Sequence, residues 1–177
     1  IAEVAKQYGA KVPFMRSAES AGDMATTSEV LIEVLNRYAK NNQHIKNACC
    51  IYSTAPLLKQ DYLVEAYNLM LNEGFETVFP VLEFSYPIWR SLKINEQGKT
   101  EMNWPQHLNS RSQDLPKAYH DAGQFYWFDV ETFQKSKLLF SANSGSIVLN
   151  EMEVQDIDNP SDWRLAELKA TLLKSKE

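Results

Sequence analysis

Two aspartates one residue apart, Asp156 and Asp158, are the residues whose type and spacing most directly suggest chemistry. They stand where a short apolar stretch ends and a helix is predicted to begin, so a turn of the backbone would let both carboxylates meet one cation. Mg²⁺ takes oxygen ligands and is commonly held by one or two carboxylates together with substrate phosphates. The same spacing also fits a structural role, in which Asp158 or Asn159 caps the helix and Asp156 is solvated. Spacing alone leaves both interpretations open.

A polar loop near the start of the chain carries a second candidate set. Arg16 follows a predicted strand, and Asp23, Thr26 and Thr27 lie between it and a predicted helix. A guanidinium can fork onto phosphate, and the free N–H groups of a helix start favour anions. An exposed arginine and an ordinary helix cap would give the same pattern.

Two further stretches carry polar groups beside apolar sequence. Arg111 and Gln113, with Lys117 and His120 after them, offer donors suited to a carboxylate and hydroxyls, although a solvated loop would look alike. Gly123 interrupts an apolar run, which indicates a close approach of the backbone to another group, either a ligand or a packing partner.

The elements that must position these residues alternate between strand and helix. Helical periodicity with a Thr26–Glu29 capping box predicts one helix, a second runs from about 61 to 72 and ends at Gly74, and a last one starts at Pro160. Strands are predicted at 11–14, 48–52, 76–84, 119–129, 146–149 and 154–157, with a hairpin-like excursion over 88–104. This rhythm predicts an α/β fold with a mainly parallel sheet. Ligands of such sheets bind beyond the carboxyl ends of the strands, which marks the loops at 53–57, 121–124 and 156–158.

Composition excludes several classes of protein. The chain has 177 residues, 44% of them hydrophobic, which fits one domain with an ordinary core. A net charge of -5 argues against a general nucleic-acid binder. No apolar run reaches the roughly 18 residues of a membrane helix, and no signal peptide is recognisable. Cys49 and Cys50 are adjacent in a predicted strand and so point to opposite faces, which predicts two free thiols in a reducing cytoplasm.

Five segments resemble the sugar-acid cytidylyltransferases, the CMP-sialic acid synthetases and most closely the pseudaminic acid cytidylyltransferase branch. They are AEVAKQYGAKVPF at 2–14 with Arg16 and Glu19, YSTAPLL at 52–58, RSQDL at 111–115, YHDAGQFY at 119–126, and VQDID at 154–158 followed by Asp162 and Trp163. The resemblance runs from end to end in order, which a lone D-x-D could not do.

The resemblance implies a fold and a reaction. It implies a single three-layer, Rossmann-like nucleotidyltransferase domain over 1–177, with 88–108 as a protruding β-element that forms a homodimer. The implied reaction is attack of a nine-carbon sugar acid, pseudaminic acid in this branch, on the α-phosphorus of CTP, with Mg²⁺ as cofactor and pyrophosphate as leaving group. A cytoplasmic enzyme with no nucleic-acid or membrane partner is expected.

The resemblance also implies roles for named residues. Asp156 and Asp158 are the implied catalytic metal ligands. The nucleotide side is implied to contain Arg16, Asp23, Thr26 and Thr27, and the sugar side Tyr52, Arg111, Gln113, Gly123 and Gln124. Two departures from the sialic acid pattern, Tyr52 in place of Gln and Ala-Gly-Gln at 122–124 in place of Asn-Gly-Ala, lie on the sugar side and favour the pseudaminic branch.

Residues 1–9 affect what activity we expect of the chain. Ile1 to Gly9 open within a predicted helix without an initiator Met, which favours a piece of a longer protein. The family's first strand and glycine-rich phosphate loop have no counterpart, and the six glycines form no phosphate-binding pattern. We therefore expect these residues alone to be inactive, and we call the chain together with a phosphate-binding segment the complete enzyme. Three alternatives stay open: another sialic-acid-type CMP-sugar synthetase, a D-x-D glycosyltransferase, and a non-catalytic fragment that keeps a sugar pocket or a dimer surface.

Overall fold

The computed structural model describes residues 1–175, in which helices and strands alternate along the chain. The helices are α1 Ala2–Gln7, α2 Thr27–Lys40, α3 Gln60–Glu73, α4 Val130–Ser136 and α5 Pro160–Lys174. The strands are β1 Asn47–Ile51, β2 Thr77–Glu83, β3 Leu92–Ile94, β4 Thr100–Met102, β5 Tyr119–Asp121, β6 Phe125–Asp129 and β7 Ser144–Val148. None of the helices in this described part is long and apolar enough to cross a bilayer.

Local sequence signals set the ends of the three long helices. The Thr26 hydroxyl accepts from the backbone N–H of Glu29, whose carboxylate accepts in return from the Thr26 N–H, so the predicted capping box starts α2. Gly74 ends α3 with φ of 68°, a left-handed conformation that favours glycine. Asn159 caps α5, and Pro160 follows at its first position.

The main sheet has five strands, of which β1, β2 and β7 run in one direction. β6 runs in the opposite direction between β1 and β2, pairing Ile51 with Phe125 on one side and Val78 with Trp127 on the other. β7 pairs in parallel with the other edge of β2. Because β6 is antiparallel to β1, its first residues, and the Gly123 turn before them, lie at the carboxyl end of β1.

Helices cover both faces of this sheet and form two core clusters. On one face Ala66 and Met70 of α3 pack against Val78, Phe125 and Ile147. The other face carries Leu35 of α2 and Phe133 of α4, which pack with Phe79, Tyr126 and Phe128. The arrangement is a three-layer α/β fold, as predicted.

The adjacent thiols of β1 belong to different layers. Cys49 packs against the α3 cluster and Cys50 against the α2 cluster, because successive strand residues point to opposite faces. Burial raises the pKa of the Cys49 thiol to about 12 and also raises the pKa of Cys50. Both cysteines are free.

Three expectations about the strands need correction. Residues 11–14 and 154–157 form no strand. The prediction of a mainly parallel sheet is wrong for the pairing of the strands: β1, β2 and β7 run in one direction, but among the described strands of this sheet only the β2–β7 pair is parallel, because β5 and β6 pair antiparallel with their neighbours. The run 119–129 is two strands, because Gly123 with φ of 62° breaks the extended backbone between them.

The excursion after β2 contains a separate two-stranded sheet. β3 and β4 pair antiparallel from Leu92–Met102 to Ile94–Thr100, around a turn in which Gly98 has φ of 74°. The rings of Trp89 and Trp104 lie 5.5 Å apart at its base. Leu92 and Ile94 are 60% and 75% exposed, so this hairpin carries an uncovered apolar surface.

Candidate active site

A cleft of about 450 Å³ opens beyond the carboxyl end of β2, and we call it the acidic cleft. Three stretches build it: residues 82–85 at the end of β2, the 120–122 stretch before the Gly123 turn, and the segment that leads from β7 into α5. Its carboxylates are Glu83, Asp121, Glu151, Asp156, Asp158 and Asp162. The two aspartates of the D-x-D pattern therefore line one space.

Asp156 lies directly against the backbone of the Gly123 turn. A Cβ added to Gly123 would stand 3.0 Å from Asp156 Oδ2, so only glycine lets this carboxylate approach so closely. The Gly123 N–H donates to Asp121 Oδ1 at 2.9 Å, and the Ile157 N–H donates to Asp156 Oδ1 at 3.0 Å. The close backbone approach predicted at Gly123 is thus an approach to Asp156.

Asp158 is not used to cap α5. The cap is supplied by Asn159 Oδ1, which accepts from the N–H of Ser161 and Asp162, while Asp162 Oδ2 accepts from the N–H of Asp158 and Asn159. Within residues 1–175 the Asp158 carboxylate accepts no protein hydrogen bond. The structural role that the sequence left open for Asp158 is therefore filled by its neighbours, and its carboxylate remains available to a ligand.

The donor set of the acidic cleft fits a hard divalent cation that is bound in part by substrate. Across the described residues, no group of three or more His, Cys, Asp or Glu side chains is placed to hold a metal unaided. Two carboxylates completed by water and phosphate oxygens are the ligand set that Mg²⁺ takes in many phosphate-handling sites. Asp156 and Asp158 could supply the protein's share of such a set, because both line the acidic cleft.

A chain of side-chain oxygens connects the start of α2 with the Gly123 turn. Thr27 Oγ1 lies 3.3 Å from Tyr52 Oη, and the Tyr52 and Tyr126 rings are 5.4 Å apart. Tyr126 donates its hydroxyl proton to Asp121 Oδ2. Burial raises the pKa of Tyr126, and its bond to the Asp121 carboxylate raises it further, so Tyr126 stays a proton donor. Thr27, assigned to the nucleotide side, and Tyr52, assigned to the sugar side, are thereby neighbours.

Gln124 is buried beside Tyr52 and does not line the acidic cleft. The residue is 1% exposed, and its backbone carbonyl accepts from the Tyr52 N–H at 2.9 Å. Neither atom of its side-chain amide has a hydrogen-bond partner among the described residues. An unpaired buried amide costs about 1–3 kcal/mol. The structure therefore places Gln124 beside the sugar-side residue Tyr52, with its amide unsatisfied.

Of the other two residues assigned to the sugar side, Gln113 lines a neighbouring cleft and Arg111 lies outside it. That cleft has a volume of about 290 Å³, includes Gln113 in its lining and shares residues 83–85 with the acidic cleft. Arg111 is exposed and forms a two-pronged ion pair with Asp114, at 2.7 and 3.1 Å. Gln113 thus lines a cleft that adjoins the acidic cleft, whereas Arg111 is paired with Asp114.

Three of the residues assigned to the nucleotide, Arg16, Asp23 and Thr26, lie in the loop before α2, and Thr27 is the first residue of the helix. Arg16 Nη1 donates to the Ser20 carbonyl at 3.1 Å, Thr26 is engaged in the capping box, and Asp23 is exposed. They stand beside a cleft of about 740 Å³, whose lining includes their neighbours Ser17, Met24 and Ala25. The structure brings Thr27 to Tyr52, and none of the four lines the acidic cleft.

Glu33 of α2 anchors this loop. Its carboxylate accepts from the Ser20 hydroxyl and from the N–H and hydroxyl of Ser17, and it pairs with Arg37 at 2.7 Å. The Ser20 bond, followed by the Ser17 N–H, lowers the pKa of Glu33 to about 2. The charged form of Glu33 therefore holds Ser17 and Ser20, which follow Arg16 in the loop.

Sequence reasoning missed three residues of the site. The 121–124 loop and the 119–126 segment were predicted to belong to the site, but Asp121 and Tyr126 were given no role there, although an aspartate two residues before a glycine is a recognisable turn signal. Lys169, which also lines the acidic cleft, was not singled out from the sequence. Its spacing of three from Ala166 puts it on the buried stripe of α5, and that periodicity was the available signal.

Comparisons with known proteins identify relatives of the chain. No family model matches the chain. The pseudaminic acid cytidylyltransferase of Campylobacter jejuni serotype O:2 is 38% identical over 168 residues, which cover 95% of this chain and 72% of that protein. The N-acylneuraminate cytidylyltransferase A of Danio rerio is 28% identical over 171 residues, covering 94% of this chain and 38% of that protein.

A solved structure shares the fold. The structure of CMP:2-keto-3-deoxy-manno-octonic acid synthetase complexed with CTP superposes with a TM-score of 0.60 at 11% sequence identity, and the match covers 98% of this chain and 76% of that one. Fold and relatives together define a nucleotidyltransferase, and within that class a cytidylyltransferase. The chain belongs to the pseudaminic acid cytidylyltransferase family.

Proposed function

We propose that the complete enzyme transfers CMP from CTP to pseudaminic acid, a nine-carbon sugar acid, and releases pyrophosphate. The observation that carries this proposal is the acidic cleft, where Asp156 and Asp158 face one space and helix capping is left to Asn159 and Asp162. The family's named reaction gives the substrates, and the departures at Tyr52 and at 122–124 favour pseudaminic acid over sialic acid.

Asp156 and Asp158 would hold Mg²⁺ in this reaction, and the ion would neutralise charge on the phosphates. The Gly123 turn limits where Asp156 can lie, because its backbone is in contact with Oδ2. The Ile157 N–H fixes Oδ1 of the same carboxylate. Positioning of charged groups supplies most of the acceleration in phosphoryl chemistry, so a carboxylate held on two sides is suited to the task.

The two substrates would meet along the wall formed by Thr27, Tyr52 and Tyr126. On the nucleotide side we assign Arg16, Asp23, Thr26 and Thr27, and on the sugar side Tyr52, Arg111, Gln113, Gly123 and Gln124. The contact between Thr27 and Tyr52 supports this arrangement, since it joins the two assigned sides. The sugar's anomeric hydroxyl then attacks the α-phosphorus, and pyrophosphate leaves.

The hairpin over 88–108 is proposed as the dimer contact of a homodimer. Exposed Leu92 and Ile94, together with the Trp89–Trp104 pair, supply apolar and aromatic groups of the kind that interfaces favour. We place the reaction in the cytoplasm, with no nucleic-acid or membrane partner. The free thiols Cys49 and Cys50 agree with a reducing compartment.

The substitution Asp158→Asn tests the role of the acidic cleft. An amide binds Mg²⁺ less well than a carboxylate, so turnover of the complete enzyme should fall by about 10²- to 10³-fold. Pyrophosphate release measures the loss. Glu131→Gln, on the exposed surface of α4, is the matched control and should leave turnover unchanged. Equal thermal unfolding of both variants would show an intact fold, and near-normal CMP transfer by Asp158→Asn would refute the assignment.

A further inference from the structure

Lys169 is a buried cation in the wall of the acidic cleft. Its exposure is 8%, although lysine is among the residues least often buried. It lies on the inner face of α5 with Ala166, and it lines the same cleft as Asp156 and Asp158. Burial lowers the pKa of Lys169, while the nearby Glu151 charge acts in the opposite direction.

The ammonium group holds the turn that leads to the aspartates. Lys169 Nζ donates to the Glu151 carbonyl at 2.8 Å and to the Val154 carbonyl at 2.7 Å. These carbonyls mark the two ends of the turn at 151–154, and Asp156 follows two residues later. The opposite side of that turn is tied to α3, because Glu153 accepts from Lys59 and Tyr62.

Packing alone does not explain a lysine at this position. An apolar side chain would fill the inner face of α5 without the cost of removing an ammonium group from water. What an apolar side chain cannot supply is a pair of charge-assisted hydrogen bonds and a positive charge beside six carboxylates. Both effects act on the acidic cleft, since the bonds fix its backbone and the positive charge interacts with the nearby Glu151 carboxylate.

We propose that Lys169 is a positioning residue that holds the 151–154 turn so that Asp156 and Asp158 stay directed at one cation. This inference rests on the metal role assigned to the two aspartates. Removal of the ammonium group releases both carbonyls and lets the segment before Asp156 move. Partners that orient metal ligands typically change metal affinity by about 10- to 100-fold when they are removed.

The test measures Mn²⁺ binding to the complete enzyme, with and without CTP, by electron paramagnetic resonance, with Mn²⁺ in place of Mg²⁺. Lys169→Met should weaken binding about tenfold, and Lys169→Arg, which keeps a charged donor, should recover most of that loss. Lys174→Met, at the exposed end of α5, is the matched control and should bind as the unchanged chain does. Amide hydrogen exchange gives a second measurement, and Lys169→Met should speed exchange within 151–158.

Asp158→Asn separates failure of this inference from failure of the proposed function. If Asp158→Asn loses Mn²⁺ while folded Lys169→Met binds it normally, the inference about Lys169 is overturned and the metal role of Asp158 stands. If Asp158→Asn binds Mn²⁺ normally, the proposed metal site is wrong. In that case unchanged exchange over 151–158 in Lys169→Met would overturn the positioning role too.

Discussion

Replacing Gly123 by alanine tests how tightly the Gly123 turn constrains Asp156. Gly123 has φ of 62°, and an added Cβ would lie 3.0 Å from Asp156 Oδ2 and 3.2 Å from its Cγ. Ordinary contacts of this kind begin at 3.4 Å, so the carboxylate must retreat by about 0.4 Å. The substitution therefore strains the backbone and displaces a proposed metal ligand.

The two effects have different sizes and different measurements. A non-glycine residue in the left-handed region costs about 1–2 kcal/mol, which lowers the melting temperature of a chain of this length by about 2–8 °C. Misplacement by 1 Å can cost about 10²-fold in rate, so a shift of a few tenths of an ångström should lower turnover about tenfold. Thermal unfolding reports the first effect, and pyrophosphate release by the complete enzyme reports the second.

Gly74→Ala supplies the matched control. Gly74 has φ of 68°, and a Cβ added there meets nothing within 4 Å, so this variant carries the backbone strain without the contact. Both variants should lose similar stability, and Gly123→Ala alone should lose turnover. If the two variants keep the same turnover, the Gly123 turn does not position Asp156.

Two further predictions concern the sugar and the loop before α2. The complete enzyme should use pseudaminic acid with a kcat/KM far above that for N-acetylneuraminic acid, because Tyr52 and the 122–124 stretch depart from the sialic acid pattern; equal values would refute this. Glu33 has its pKa lowered from 4.5 to about 2, so the stability it supplies is present above pH 4.5 and lost as the pH falls toward 2. Glu33→Gln should therefore lower the melting temperature at pH 6 and make the melting temperature less dependent on pH below 4.5. If the melting temperatures of the variant and the unchanged protein fall equally with pH, the role of Glu33 is contradicted.

The sequence predicted well those features that depend on neighbours along the chain. The capping box at Thr26, the glycine stop at Gly74 and the Asn159–Pro160 start of α5 are all local, and each is present in the structure. The run rich in Val and Phe over 76–84 also predicted a strand, and six of the seven residues of β2 are buried. Helix ends depend on the residue types at a few adjacent positions, and burial of a strand depends on a run of apolar residues. Both signals can be read from a short stretch of sequence.

Features that depend on distant contacts were not predictable in this way. An apolar run does not specify the direction of its neighbour, so the antiparallel entry of β6 between β1 and β2 left no local trace. The contact of Gly123 with Asp156 joins residues far apart in sequence. Residues 154–157 look like a strand, yet they are held by side-chain bonds from Lys169 and by the start of α5. In the site, the resemblance to a family located the segments, and only the structure showed which side chains share a cleft.

The adjacent thiols of β1 give the chain two reporters of local opening. At pH 8 a thiol with a pKa of about 12 is ionised in only about one molecule in ten thousand, so Cys49 in its folded surroundings reacts slowly with alkylating reagents. Cys49 is covered from the α3 side and Cys50 from the α2 side. Variants that keep one thiol each would therefore let alkylation rates follow the separate fluctuations of the two helical layers, with no label introduced anywhere else.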